Sequence, residues 1–175
     1  PEPSVKAGNI LVQTRASLIS AGTERMVVRF ARKSLAKKAA ERPDLVKKVL
    51  QKARKDGITA TIQGILAHLD SPLPLGYSAS GDVVAVGAGL EGQFHVGQRV
   101  AVAGAGIATH AELNIIPANL AAEIPIDVPY EDACYATLSS IAMHTVRNLA
   151  PSLGDLVAVI GSGLLGQLIV NLLYL

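Results

Sequence analysis

The chain has 175 residues, half of them apolar, 3% aromatic and 17% charged, with a formal net charge of +2. That is enough apolar material for a packed core, and the composition excludes a disordered chain. One cysteine, Cys134, excludes an internal disulfide framework and an all-cysteine metal cluster. The absence of Trp argues against stacking platforms for bases or sugars.

No basic n-region with a following apolar run opens the sequence, so a cytoplasmic location is expected. The chain starts at Pro1 without a methionine and stops inside an apolar stretch, and is read as a segment of a longer protein. Residues 9–19 partly alternate, with Ile10, Val12, Thr14 and Ala16 on one face and Gln13 and Arg15 on the other, which predicts a half-buried strand. Ser20-Ala21-Gly22-Thr23-Glu24 reads as a turn that ends it.

Charge then changes abruptly. Between Glu24 and Asp56 there are twelve Lys/Arg against four acids, a net of +8, and the rest of the chain carries −6. Val27, Val28, Phe30, Ala31 and Leu35 predict a helix ending before Pro43. A second follows from Asp44 as cap to Gly57 as stop, with Leu45, Val46, Val49, Leu50 and Ala53 as its stripe. A third covers Ile58–Leu69. Solvated basic faces explain this pattern. Nucleic acid is not an expected partner, because only Phe30 is aromatic there and no recognition motif accompanies the charge.

From Leu75 the texture is all-β. Gly81–Gly87, Gly97–Val102 and Ala111–Ile116 read as short strands with glycine punctuation, the pattern of a small barrel. Pro125 and Pro129 bracket a linker. Tyr130–Leu149 predicts a helix with Glu131 and Asp132 in its first turn, where the dipole favours acids.

The last twenty residues, LVAVIGSGLLGQLIVNLLYL, carry no charge and are long enough to span a bilayer. A buried strand over Leu156–Ile160, a glycine turn and an apolar helix is the preferred reading, and no membrane partner is expected. Gly161-Ser162-Gly163-Leu164-Leu165-Gly166 is a G-x-G-x-x-G between strand and helix, the context that gives the motif meaning. Gly161 would permit the tight turn, Gly163 the approach of a pyrophosphate, and Gly166 close helix–strand packing. The acid that would select the ribose hydroxyl lies roughly 20 residues further on, beyond Leu175, so NAD and NADP both stay open.

With GYSASGDVVAVG and VGQRVAV in the middle and LGDLVAVIGSGLLG at the end, the chain resembles the medium-chain dehydrogenase/reductase superfamily of zinc-type alcohol dehydrogenases and relatives. More narrowly, SAGTERMVVRFARKS, RPDLVKKVLQKA and DSPLPLGYSASG resemble bacterial bi-domain oxidoreductases. The resemblance implies a fold of β plus α/β class: a GroES-like partly open barrel over 1–128, with a basic helical insertion at 24–70, then the start of a Rossmann domain over 129–175. It also implies a nicotinamide cofactor, a small-molecule substrate, and a further oxidoreductase module downstream; a homo-oligomer is compatible with it.

The departures from that family are chemical. Its catalytic zinc takes a cysteine, a histidine in Gly-His-Glu and a second cysteine; the matching positions here are Ser20, Tyr77 (with Ser78 for the Glu) and Leu138. A catalytic zinc needs three protein ligands, so no metal is expected. The threonine that relatives place against the nicotinamide corresponds to Ile141. His68, His95, His110 and His144 show no ligand spacing; His110 and His144 are the better placed to reach a cleft.

Tyr77, at the vacated histidine position, is a candidate to donate a hydrogen bond to a substrate oxygen, with Thr23 and Glu24 nearby in sequence after the vacated cysteine. Equally, Tyr77 fills the metal pocket and Glu24 caps a helix. The expected activity is zinc-independent NAD(P)-dependent hydride transfer to or from an alcohol, carbonyl or enone. The alternative is a non-catalytic, degenerate dehydrogenase fold used for assembly or ligand binding.

Overall fold

A computed structural model of the chain describes residues 4–31 and 74–174. The chain divides into two compact units, 1–20 with 74–175 and, separately, 21–73. In the second unit the described element is α1, Ala21–Ala31, with Glu24 in its first turn and Arg29 in its last, as the helix dipole favours. The residues expected to form a turn at 21–24 therefore open a helix instead. Thr23 and Glu24 are good enough first-turn residues for the apolar spacing of Met26, Val27 and Phe30 to carry the helix back to Ala21. The expected helices at 44–57 and 58–69 lie outside the described residues.

The first unit is built on an antiparallel sheet of β1 (Asn9–Ser17), β2 (Ser78–Val86), β3 (Arg99–Ala103), β4 (Leu113–Pro117) and β5 (Ala121–Glu123). Its order is β4-β1-β2-β3-β5, which leaves β4 and β5 as edges of an open sheet. Ile10, Val12, Ala79, Val83, Val100, Val102 and Ile116 come from four strands into one core with Leu90, Phe94 and Ala108.

β1 departs from simple alternation. Register shifts against β2 fall between Leu11 and Val12 and between Thr14 and Ala16. Such bulges turn a strand locally, and β1 uses them to serve two cores. Ile10 and Val12 enter the sheet core, whereas Ala16 and Leu18 join a second cluster.

The helical region expected over 130–149 is two helices, α2 (Tyr130–Ala133) and α3 (Ala136–Leu149), broken at Cys134–Tyr135. α2 is fastened to the sheet by side chains from three strands. Arg99 donates to the carbonyls of Pro125 (3.2 Å), Ile126 (3.0 Å) and Val128 (2.5 Å), with its guanidinium 4.5 Å from the Tyr130 ring centroid. Tyr130 donates its phenol to Asp82, and Arg15 Nε donates to the same carboxylate at 2.7 Å.

Burial alone would raise the Asp82 carboxyl, but the hydrogen bonds from Tyr130 and Arg15, with the Arg15 and Arg99 charges, hold it below the ordinary aspartate range. A carboxyl depressed in the folded state adds stability that is complete above its unfolded pKa of about 3.9 and fades as pH falls through the lower folded value. Denaturant midpoints measured from pH 6 to pH 2 should therefore decline on acidification less steeply in Asp82→Asn than in the parent. Parallel curves would mean that this carboxylate carries no acid-linked stability.

The final stretch is where the expectation needs most correction. Leu156–Ile160 is not a strand of any sheet among the described residues, and Leu156 and Ile160 are fully exposed. A parallel strand takes its ladder bonds and its burial from neighbouring strands, and the five described strands pair elsewhere. The helix after the turn does form, as α4 (Leu164–Tyr174). No helix among the described residues is long and apolar enough to cross a membrane. Glycines 161 and 163 split the uncharged stretch before it reaches that length.

Candidate functional site

The glycine turn has a defined backbone. Gly161 sits at φ +105°, a conformation L side chains rarely adopt. Gly166 lies in the first turn of α4, so close to the turn that a Cβ there would fall 2.0 Å from the Gly161 carbonyl oxygen. Gly163 is different: a Cβ there meets nothing within 4 Å, so the space in front of it is open. Gln167 closes the turn, its amide donating to the Gly163 carbonyl (2.9 Å) and its side chain to that of Ser162 (3.1 Å). Gly161, Ser162, Gly166, Gln167 and Asn171 border an open groove.

Behind this turn lies the second cluster. Leu18, Cys134 and Leu138 form its buried centre, and Tyr77, Tyr135, Leu164, Leu165 and Leu168 pack against it. The structure thus brings Tyr77 and the Leu164-Leu165 pair of the motif to one apolar cluster, although 86 residues of chain lie between Tyr77 and Leu164. Thr23 and Glu24 lie on α1 in the other unit, and both have interaction partners.

The three positions that the resemblance would assign to zinc ligands do not fit a metal. Ser20 is buried at the end of β1, Tyr77 is half-buried, and Leu138 is a buried hydrocarbon at the centre of the cluster. The nearby thiol offers no substitute. Burial first, then the Glu131 and Asp132 charges, push the Cys134 thiol up, and its Sγ lies 3.1 Å from the Glu131 carbonyl. Among the described residues no group of three or more His, Cys, Asp or Glu could hold a metal ion.

The histidines occupy separate places. His110 Nδ1 lies 2.9 Å from Ser17 Oγ, and its backbone amide donates to Leu75. Gly76 beside it has φ +94°, and a Cβ there would come 2.9 Å from the His110 amide nitrogen and 3.0–3.1 Å from its ring. His144 pairs with Asn148 one turn along α3, and His95 is exposed. His68 lies outside the described residues. Ile141, which the resemblance sets at the nicotinamide threonine, is an exposed apolar residue.

Two serines of β2, Ser78 (at the position the resemblance gives to the Glu) and Ser80 (not singled out in the sequence), hold residues 130–134 to the sheet. Ser78 donates to the Cys134 carbonyl at 2.6 Å and Ser80 to that of Tyr130 at 2.7 Å, both from fully buried positions on β2. Serines alternating with alanine in a strand are the trace they leave in the sequence, because a buried hydroxyl needs a partner.

The chain is similar to (R,R)-butanediol dehydrogenase of Bacillus subtilis, 28% identical over 132 residues, covering 62% of this chain and 38% of that protein. Its crystal structure superposes with a TM-score of 0.64, 20% identity and coverage of 99% and 50%. Over the part it spans, the chain shares the fold of that structure. An alcohol dehydrogenase of E. coli CFT073 in complex with NADH matches at a TM-score of 0.63, 22% identity and coverage of 98% and 47%. A mycobacterial protein in complex with NADPH matches at 0.56, 20% identity and coverage of 89% and 38%. The chain thus spans half or less of these relatives. No family model matches it.

Proposed function

We propose that this chain is the GroES-like part (1–128) and the first part of the Rossmann domain (129–175) of an NAD(P)-dependent oxidoreductase that works without zinc. The observation that carries the reading is the Gly161–Gly166 turn, with its positive-φ first glycine, open second glycine and close-packed third. The first amides of α4 have no helical carbonyl to serve, and the dipole favours an anion there. Gly161, Ser162, Gly163, Leu164, Leu165 and Gly166 would hold the pyrophosphate at that point.

A bound nicotinamide supplies or accepts the hydride. The protein must then steady charge at the substrate oxygen. Tyr77 is the proposed donor: its ring packs on the Leu18–Cys134–Leu138 cluster, which fixes it and excludes water from one side. Thr23 and Glu24 on α1 are the remaining polar candidates for proton transfer. Alcohol, carbonyl and enone substrates all meet these requirements, and NAD and NADP fit the turn equally.

Fluorescence titration of the complete protein should show binding of NADH or NADPH, and elemental analysis of the active sample should show no stoichiometric zinc. If neither nucleotide bound, the oxidoreductase reading would fall. Turnover that vanished on chelation and returned with zinc would overturn the metal-free part alone.

A further inference from the structure

Side chains of Arg99, Asp82, Ser80 and Ser78 hold the segment 125–134 to the sheet, and they differ in what lies beyond them. Arg99 and the Asp82–Tyr130 pair grip its outer end, at Pro125–Tyr130. Ser80 holds the Tyr130 carbonyl. Ser78 alone reaches Cys134, in the break between α2 and α3. Cys134 and Leu138, one turn further, are the centre of the cluster on which Tyr77, Leu164 and Leu165 rest.

Ser78 also follows Tyr77 directly in the chain. The backbone around Tyr77 is secured independently, since Gly104 donates to the Tyr77 carbonyl and Leu18 to that of Ser78, both at 3.0 Å. Losing the Ser78 hydroxyl would therefore leave Tyr77 in place before β2 and release the helical side. The Cys134 carbonyl would lose the Ser78 hydroxyl, and Leu138 with the α4 residues packed on it would be free to shift by the fraction of an ångström that alignment for hydride transfer does not tolerate.

We infer that Ser78 is a positioning residue: by holding the Cys134 carbonyl it sets the Leu138 cluster, and with it the glycine turn, at a fixed distance from Tyr77. The inference rests on the oxidoreductase reading for its kinetic consequence but not for its structural one. A serine is suited to this task because its short side chain leaves one rotor to order, and the hydroxyl is fully buried where its bond does not exchange with water.

The test compares Ser78→Ala with Ser80→Ala in the complete protein. Both lose one buried serine hydroxyl bond to the same segment, so Ser80→Ala sets the effect of loosening alone. Expected for Ser78→Ala is a fall in kcat of about tenfold or more with the NAD(P)H dissociation constant within about twofold of the parent, while Ser80→Ala changes kcat by less than about threefold. Hydrogen exchange should quicken at 134–139 and 164–168 in Ser78→Ala only. Equal losses in the two variants, or an unchanged kcat in Ser78→Ala, would overturn the positioning role. If the parent binds no nicotinamide nucleotide, the functional reading fails and the exchange pattern still decides this one. Should Ser78→Ala not fold, Ser78→Cys, with similar volume and a weaker donor, is measured against the same two criteria.

Discussion

Gly163→Val in the complete protein is expected to lose NAD(P)H affinity by about 10- to 100-fold, some 1.4 to 2.8 kcal/mol, with an unchanged thermal midpoint. The space before Gly163 is empty and its φ is not in the left-handed region, so the new side chain costs the fold little and occupies the place of the ligand. Gly166→Ala should lose affinity by a different route. Its methyl would sit 2.0 Å from the Gly161 carbonyl oxygen, so the turn itself must open. Overpacking of this kind costs roughly 1–3 kcal/mol, and the midpoint should fall with the affinity. A Gly163→Val protein that binds NAD(P)H as well as the parent would remove the turn from the cofactor site.

Gly81→Ala should be the most damaging single methyl group in the sheet. Gly81 faces Thr14 on one side and Val100 on the other, in the middle of the sheet order. A Cβ there would lie 2.0 Å from the Gln13 carbonyl oxygen, 2.8 Å from its carbon and 3.0 Å from the Thr14 Cα. All three are backbone atoms of a paired strand beside a bulge, so no side chain can swing aside. A loss of about 3 kcal/mol or more is expected, at the upper end of overpacking effects. Gly92→Ala makes the contrast: its φ is +85° but nothing lies within 4 Å, so the cost is left-handed strain of roughly 1–2 kcal/mol. Urea denaturation of the two variants measures the difference, and equal midpoints would show that the β1–β2 approach is looser than the structure has it.

The sheet was largely legible because glycines mark its turns. Strands expected from Gly81, Gly97 and Ala111 are found at Ser78–Val86, Arg99–Ala103 and Leu113–Pro117. β2 starts earlier because Ser78, Ala79 and Ser80 look like loop residues until their partners in α2 are known. β5, three residues long, carries no periodic signal. The helix break at Cys134–Tyr135 was hidden for another reason: neither residue breaks helices, and the tie from Ser78, distant in sequence, accompanies the break.

The candidate site was legible unevenly. The glycine turn could be read because backbone geometry demands glycine at two of its positions. Leu156–Ile160 was read as buried because it is apolar, yet apolar residues become buried only where partners exist. The resemblance implied that Tyr77 and Leu138 come together; that Leu164 joins them is a tertiary fact no local pattern contains. Ser78 and Ser80 needed coordinates, since small polar residues in a strand leave only a weak signal.

The point where β1 gives way to β2 has a consequence for how such proteins diversify. Ser17 pairs with Ala79, and the Leu18 amide donates to Ser78, so the sheet itself pins together the two ends from which residues 21–73 depart. Closing a loop costs free energy that grows only logarithmically with its length, about 0.6 kcal/mol for each doubling. Extra chain inserted there is nearly free to the host. The junction therefore works as a socket, where sequence can be added, shortened or exchanged over evolutionary time, and in the laboratory, while the strands on either side keep their register.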